Sequence, residues 1–170
     1  ILELKKQLGL FEQPFTPANT DYKKFGSTEF ARAAQNMAEE SITLLKNNNQ
    51  VLPIQQSAKI LVTGPAANSM TYLNGAWTRT WQGTDTIWND QSKYTIREAF
   101  NPATTTFIAS DNMSDTDVRE KMFAAAKASD VIIICLGEKP STEKVGDIDA
   151  LTMPDNQQQL VGLLKSTGNP

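Results

Sequence analysis

Directly after an apolar run ending at Leu136, the chain places Glu138, Glu143, Asp147 and Asp149 in one polar stretch, Gly137 to Asp149. The sequence holds no histidine. An imidazole base, a histidine metal ligand and a Ser-His-Asp triad are therefore excluded within this chain, and carboxyls must do any acid or base work. Splitting a glycosidic bond uses two carboxyls, one protonating the departing oxygen and one acting as nucleophile or base. This stretch can supply one of them. Glu138 adjoins Lys139 and the end of the apolar run, which suits a structural role. Glu143, farther out between Thr142 and Lys144, is better placed to reach a substrate, but residue chemistry alone does not choose among the four.

A second stretch, Asn74 to Gly83, holds Trp77 and Trp81 separated by polar residues. Irregular segments of this length inside a compact domain usually serve binding. Indole faces suit the C–H faces of a sugar ring, and they suit packing over a sheet edge equally well. Trp88, nearer the next helical pattern, reads as a packing residue.

The elements that must position these residues follow from periodicity. Residues 59–64, 104–109 and 131–137 are short β-branched runs bounded by glycine or polar turns, so each predicts a strand. The first and third are apolar nearly throughout, as strands buried on both faces must be. Helical patterns lie between and after them, over 94–100, 114–126 and 155–165. Upstream, Ser27 is a good N-cap, and Phe30, Ala34, Met37, Ala38, Ile42 and Leu45 make one apolar stripe that predicts a helix over 28–46. Ile1 to Leu10 read as the last turns of a preceding helix, ended by Gly9. Residues 11–25, with Pro14, Pro17, Asn19 and Asp21, read as a linker.

Strands alternating with helices predict right-handed crossovers and a mainly parallel sheet covered on both sides, an α/β/α sandwich. If the second strand lies outside the first and the third on its other side, strand order reverses between the first and third. A crevice then opens at their carboxyl ends, and both polar stretches empty there.

Composition bounds the rest. Hydrophobic residues at 39% and charged residues at 21% are ordinary for a globular chain. A net charge of -3 offers no basic surface for nucleic acid. Cys135 is the only cysteine, so it cannot form a disulfide within the chain, and its apolar neighbours predict a buried thiol. No run approaches the roughly 18 apolar residues of a membrane span. Oxygen ligands at these spacings match no calcium loop, so no metal or cofactor is expected. Gly64-Pro65-Ala66-Ala67 lacks the closely spaced glycines of a dinucleotide site, which makes a nucleotide-binding domain a poor reading. The absence of an initiator Met and the ending at Asn169-Pro170, where another strand is due, read as a piece of a longer protein.

Several motifs in consistent order resemble glycoside hydrolase family three. Glu39-Glu40-Ser41-Ile42-Thr43-Leu44-Leu45-Lys46-Asn47, Leu52-Pro53 and the strand to Gly64 resemble the entry to that family's second domain, and Gly9-Leu10-Phe11-Glu12 with Pro14-Phe15 the exit from its barrel. Gly75 to Gly83 and Gly137 to Asp147 are similar to its exo-acting β-glucanases and β-glucosidases. The resemblance implies that residues 1–26 end a barrel domain and linker, and that 27–170 begin an α/β sandwich. It implies Glu143 as general acid/base, and Trp81 with Trp77 as aromatic walls on the aglycone side. The family's nucleophile, a barrel aspartate, has no counterpart here. The implied activity is retaining hydrolysis of terminal β-glucosyl residues, with β-linked glucosides or oligosaccharides and the protein's own barrel domain as partners, in a periplasmic or extracellular setting. A non-catalytic carbohydrate-binding α/β module is the alternative.

Overall fold

In the computed structural model, which describes residues 1–14, 20–109 and 111–170, the run Ile60–Thr63 forms a strand, β1, buried along its whole length. Thr105–Ile108 (β2) and Val131–Ile134 (β3) flank it, both parallel to it, in the order β2-β1-β3. Ile60 stands opposite Thr105 on one side and Val131 on the other. This is the order that reverses between the first and third strands.

Because side chains alternate across a strand, β1 feeds two separate cores. Ile60 and Val62 join Ala58, Ala66, Ala67 and Cys135, with Tyr72, Ile96, Phe100 and Phe107 packed against them. Leu61 joins Met113, Met122, Ala126, Leu160 and Leu164 on the opposite face. The second face is covered by two helices in contact with each other, Thr116–Lys127 and Asp155–Lys165. Full burial of a side chain such as Leu61, which is 0% exposed, contributes about 1.5–3 kcal/mol. Thr63, equally buried in β1, stays satisfied because its hydroxyl donates to the Ile108 carbonyl at 2.8 Å. The α/β class and its parallel sheet are as the alternation of patterns predicts.

Local chemistry explains the helix boundaries. Asp115 caps the helix Thr116–Lys127 by accepting from the Asp117 and Val118 amides at 2.9 and 3.3 Å. The helical pattern over 94–100 yields only a 3₁₀ turn, Arg97–Ala99. Its start is well made, since Glu98 reaches back to accept from the Thr95 amide at 2.8 Å in the manner of a capping box. It does not propagate, because Asn101-Pro102 follows within one turn and the residue before proline avoids helical backbone.

The chain divides into two compact units, Ile1–Asn47 and Asn48–Pro170. The first holds the helices Leu2–Gln7 and Thr28–Ser41. Gly9 ends the former with φ +68, donating its N–H to the Lys6 carbonyl. Ser27 caps the latter, its Oγ accepting from the Phe30 amide at 3.3 Å. That helix stops at Ser41, short of the residue 46 that periodicity predicts, and Ile42 is already extended. Ile42-Thr43-Leu44-Leu45 fits a strand period as well as a helical one, and its β-branched pair prefers extended backbone. Phe15, Pro17 and Asn19 of the linker reading lie outside the described residues.

In chain order the helices are hereafter α1 (Leu2–Gln7), α2 (Thr28–Ser41), α3 (Met70–Asn74), α4 (Thr116–Lys127) and α5 (Asp155–Lys165).

Candidate active site

Both polar stretches singled out by sequence are rooted at adjacent strand ends. β1 runs into Gly64 and β3 into Cys135 and Gly137, and the roots are laced together by Cys135 N–H to the Thr63 carbonyl (2.8 Å) and Ala66 N–H to the Cys135 carbonyl (3.1 Å). Gly64 has φ +98, and a Cβ there would lie 2.4 Å from the Cys135 carbonyl oxygen. Only glycine allows the two chains this close.

The first excursion then forms α3, a short helix that periodicity does not reveal, capped by Ser69 and ended by Gly75 at φ +82. Beyond it the chain closes into a ring. The Trp77 amide donates to the Trp81 carbonyl at 3.1 Å, and Gly83 lies so near Gly75 that a Cβ on it would sit 2.1 Å from the Gly75 carbonyl oxygen. Closure leaves Trp77 and Trp81 at 65% and 49% exposure instead of packed into the core. Trp88 is also exposed, contrary to an interior packing role but compatible with a surface one.

The second excursion is pinned at its base by Gln157 of α5. This buried side chain donates to the Gly137 carbonyl at 2.7 Å and accepts from the Gly137 amide at 3.1 Å. The chain continues to Thr142, which is extended, and then to a single 3₁₀ turn, Glu143–Gly146. Gly146 folds back against Ser141, whose Oγ would meet an added Cβ at 3.0 Å.

The two excursions meet. The Trp81 indole Nε1 donates to Glu143 Oε1 at 3.1 Å, and the Trp77 Nε1 donates to Thr142 Oγ1 at 2.9 Å. The Gln82 amide bridges to the Thr142 backbone, accepting from its N–H at 3.0 Å and donating to its carbonyl at 3.2 Å. Among the described residues the non-glycine positions with positive φ are Asn49, Gln50, Trp77 and Glu143. An asparagine tolerates that conformation, whereas a tryptophan there is an outlier. Left-handed backbone at such residues costs on the order of 1 kcal/mol each, and it concentrates where function over-determines the geometry.

Of the carboxyls left open by sequence, only Glu143 is hydrogen-bonded to an indole among the described residues. Asp147 and Asp149 are exposed farther along the loop. Glu138 instead lines a cavity of about 820 Å³ at the carboxyl ends of β1 and β3, together with Pro65, Tyr72, Asp111 and Asp155. Burial, reinforced by the nearby Asp111 charge, pushes the Tyr72 hydroxyl up from its ordinary pKa. The expected crevice is therefore present, but Trp77, Trp81 and Glu143 are not among its lining residues. Gln82, Thr142 and Gln157 were not legible as site residues. Their role lies in hydrogen bonds between segments distant in sequence, which no local pattern encodes.

Residues 42–170 match the family described as glycosyl hydrolase family 3 C-terminal domain. The chain belongs to this family. Among relatives of the family 3 chain, a lysosomal beta glucosidase of Dictyostelium discoideum is 34% identical over 193 residues, covering 100% of this chain and 22% of the relative. A periplasmic beta-glucosidase of Salmonella typhimurium is 25% identical over 199 residues, covering 100% and 26%. The crystal structure of beta-glucosidase from Listeria innocua in complex with gluconolactone superposes with a TM-score of 0.72 at 30% identity, covering 99% of this chain and 23% of that one. The family 3 chain thus spans about a quarter of the length of these relatives. Among its described residues, no helix is long and apolar enough to cross a membrane.

Proposed function

We propose that this chain supplies the general acid/base, Glu143, and the aglycone-side walls, Trp81 and Trp77, of a retaining exo-acting β-glucosidase or β-glucanase that removes terminal β-glucosyl residues. The observation that carries the reading is the 3.1 Å hydrogen bond between the Trp81 indole and the Glu143 carboxyl, which puts an aromatic wall beside a proton-transfer group. With Oε1 receiving the indole N–H, Oε2 is the oxygen to protonate the departing aglycone and later to take a proton from water. A retaining mechanism needs a second carboxyl about 5–5.5 Å away as nucleophile. We assign that group to a preceding barrel domain, with residues 1–26 as its end and linker and 27–170 as the first part of the α/β sandwich. Bound in a closed cleft between the two domains, the carboxyl would exchange water for fixed dipoles. The named relatives, a gluconolactone-bound beta-glucosidase among them, support β-glucosides as substrates, and the periplasmic and lysosomal ones support a location outside the cytosol.

The test is Glu143→Gln in the intact protein. Loss of the general acid lowers kcat/KM by roughly 10²–10⁴-fold where the leaving group needs protonation and far less for an activated aryl glycoside, whose turnover falls instead because the second step loses its base. Unchanged turnover on both substrates would remove Glu143 from the mechanism. If the protein binds oligosaccharides through Trp77 and Trp81 with no hydrolysis at all, the reading as a non-catalytic carbohydrate-binding module takes its place.

A further inference from the structure

We propose that Gln82 is the positioning residue of the Glu143 carboxyl, an inference that rests on reading Glu143 as the proton donor. Thr142 and Glu143 receive contacts from three side chains of the indole-bearing ring, and these differ in what they hold. Trp77 holds the Thr142 hydroxyl, a freely rotating group. Trp81 holds the carboxyl itself, whose charge and partners change during each catalytic cycle. Gln82 alone holds backbone, giving a donor to the Thr142 carbonyl at 3.2 Å and an acceptor to its amide at 3.0 Å.

A carboxamide has its donor and acceptor side by side, so it can occupy both polar groups of one extended residue as a neighbouring strand would. Thr142 has the required extended backbone, φ −148 and ψ 158. The next residue, Glu143, turns to φ +56. Gln82 therefore fixes the last extended residue before the strained one, and it fixes the direction in which the carboxyl leaves the chain. Being neutral, its grip is the same whether Glu143 is protonated or ionised. Gln82 is itself partly buried and is followed by Gly83, the residue whose backbone closes the ring.

The experiment uses the intact protein and compares kcat/KM for an alkyl β-glucoside, which needs protonation of its leaving group, with that for a dinitrophenyl β-glucoside, which does not. The ratio of the two is independent of the fraction of folded enzyme. Misplacing a catalytic group by about 1 Å costs up to roughly 10²-fold. Because the two tryptophan contacts persist, Gln82→Leu is expected to lower the ratio on the order of 10-fold. The double variant with Glu143→Gln should lower it no further than Glu143→Gln alone, since a residue acting through another adds nothing once that other is gone. If Gln82→Leu gives no folded protein, Gln82→Asn decides by the same ratio: it keeps a neutral carboxamide but is one methylene too short to hold both backbone groups of Thr142. A ratio unchanged in the Gln82 variant while Glu143→Gln lowers it overturns the positioning role and leaves the acid intact. An additive fall in the double variant also overturns it. A ratio unchanged in Glu143→Gln overturns the underlying assignment and this inference with it.

Discussion

Trp81 and Glu143, 62 positions apart in the chain, are joined by an indole N–H donated to a carboxylate oxygen across 3.1 Å. The bond ties the orientation of an aromatic plane to that of an acid. A sugar stacked on the ring would meet the carboxyl at a set height, because neither group can turn without giving up the other.

Replacing Trp81 by Phe keeps an aromatic wall and removes the donor. The lost hydrogen bond is worth on the order of 1 kcal/mol at this half-exposed site. Since each 1.36 kcal/mol is tenfold, kcat/KM on alkyl glucosides in the intact protein should fall about 5-fold. Steady-state kinetics checks this, and a Trp81→Phe enzyme with wild-type kcat/KM would show that the bond does not assist catalysis.

Gly83 and Gly162 should respond to alanine with opposite signs. At Gly83, φ is +71 and the added Cβ would meet backbone at 2.1 Å, so the ring must open, costing roughly 1–3 kcal/mol. At Gly162, within α5, nothing lies within 4 Å, and alanine should stabilise the helix by roughly 0.5–1 kcal/mol. Denaturation midpoints read both effects.

Hydrogen bonds from the Thr95 amide and hydroxyl hold the exposed Glu98 carboxyl below its ordinary pKa, aided by Arg97. A carboxyl depressed in the folded state adds stability that is full above its unfolded pKa and is lost as pH falls through the folded one. Glu98→Gln should therefore lower the melting temperature at neutral pH, and by progressively less in acid as the folded-state carboxyl takes up its proton. Equal destabilisation at neutral and acid pH would mean that shape, not charge, matters at this turn.

Cys135 is 7% exposed, and burial pushes its thiol pKa up. The thiolate is the reactive form, so a colorimetric thiol reagent should label it slowly in the folded protein and promptly once denatured. Fast labelling of the native state would indicate that the laced strand ends open readily.

Much of this architecture is legible from residue order alone. Three β-branched runs fall on the three strands, and Asp155 to Lys165 matches α5 end to end. Those elements are written locally, in period and cap. Where one segment satisfies two periods, as at Ile42 to Leu45, local reading overextends the helix. It also misses α3, whose five residues are too short to display a stripe. At the site, residue chemistry narrows attention to the loop acids and indoles and favours Glu143 by its place in the loop, but does not choose among the acids. What separates Glu143 from Asp147 and Asp149 is a contact with a residue from the other excursion, and such pairing is set by how strand ends are juxtaposed.

The closure of the chain between Gly75 and Gly83 partitions the first excursion into a ring that carries both indoles and a segment that follows it. Residues 84–94 lie outside the ring, tethered to the end of α3 by the Asn74–Asn89 side-chain hydrogen bond. An insertion within residues 84–94 would fall outside the ring and leave the indole hydrogen bonds to Thr142 and Glu143 in place.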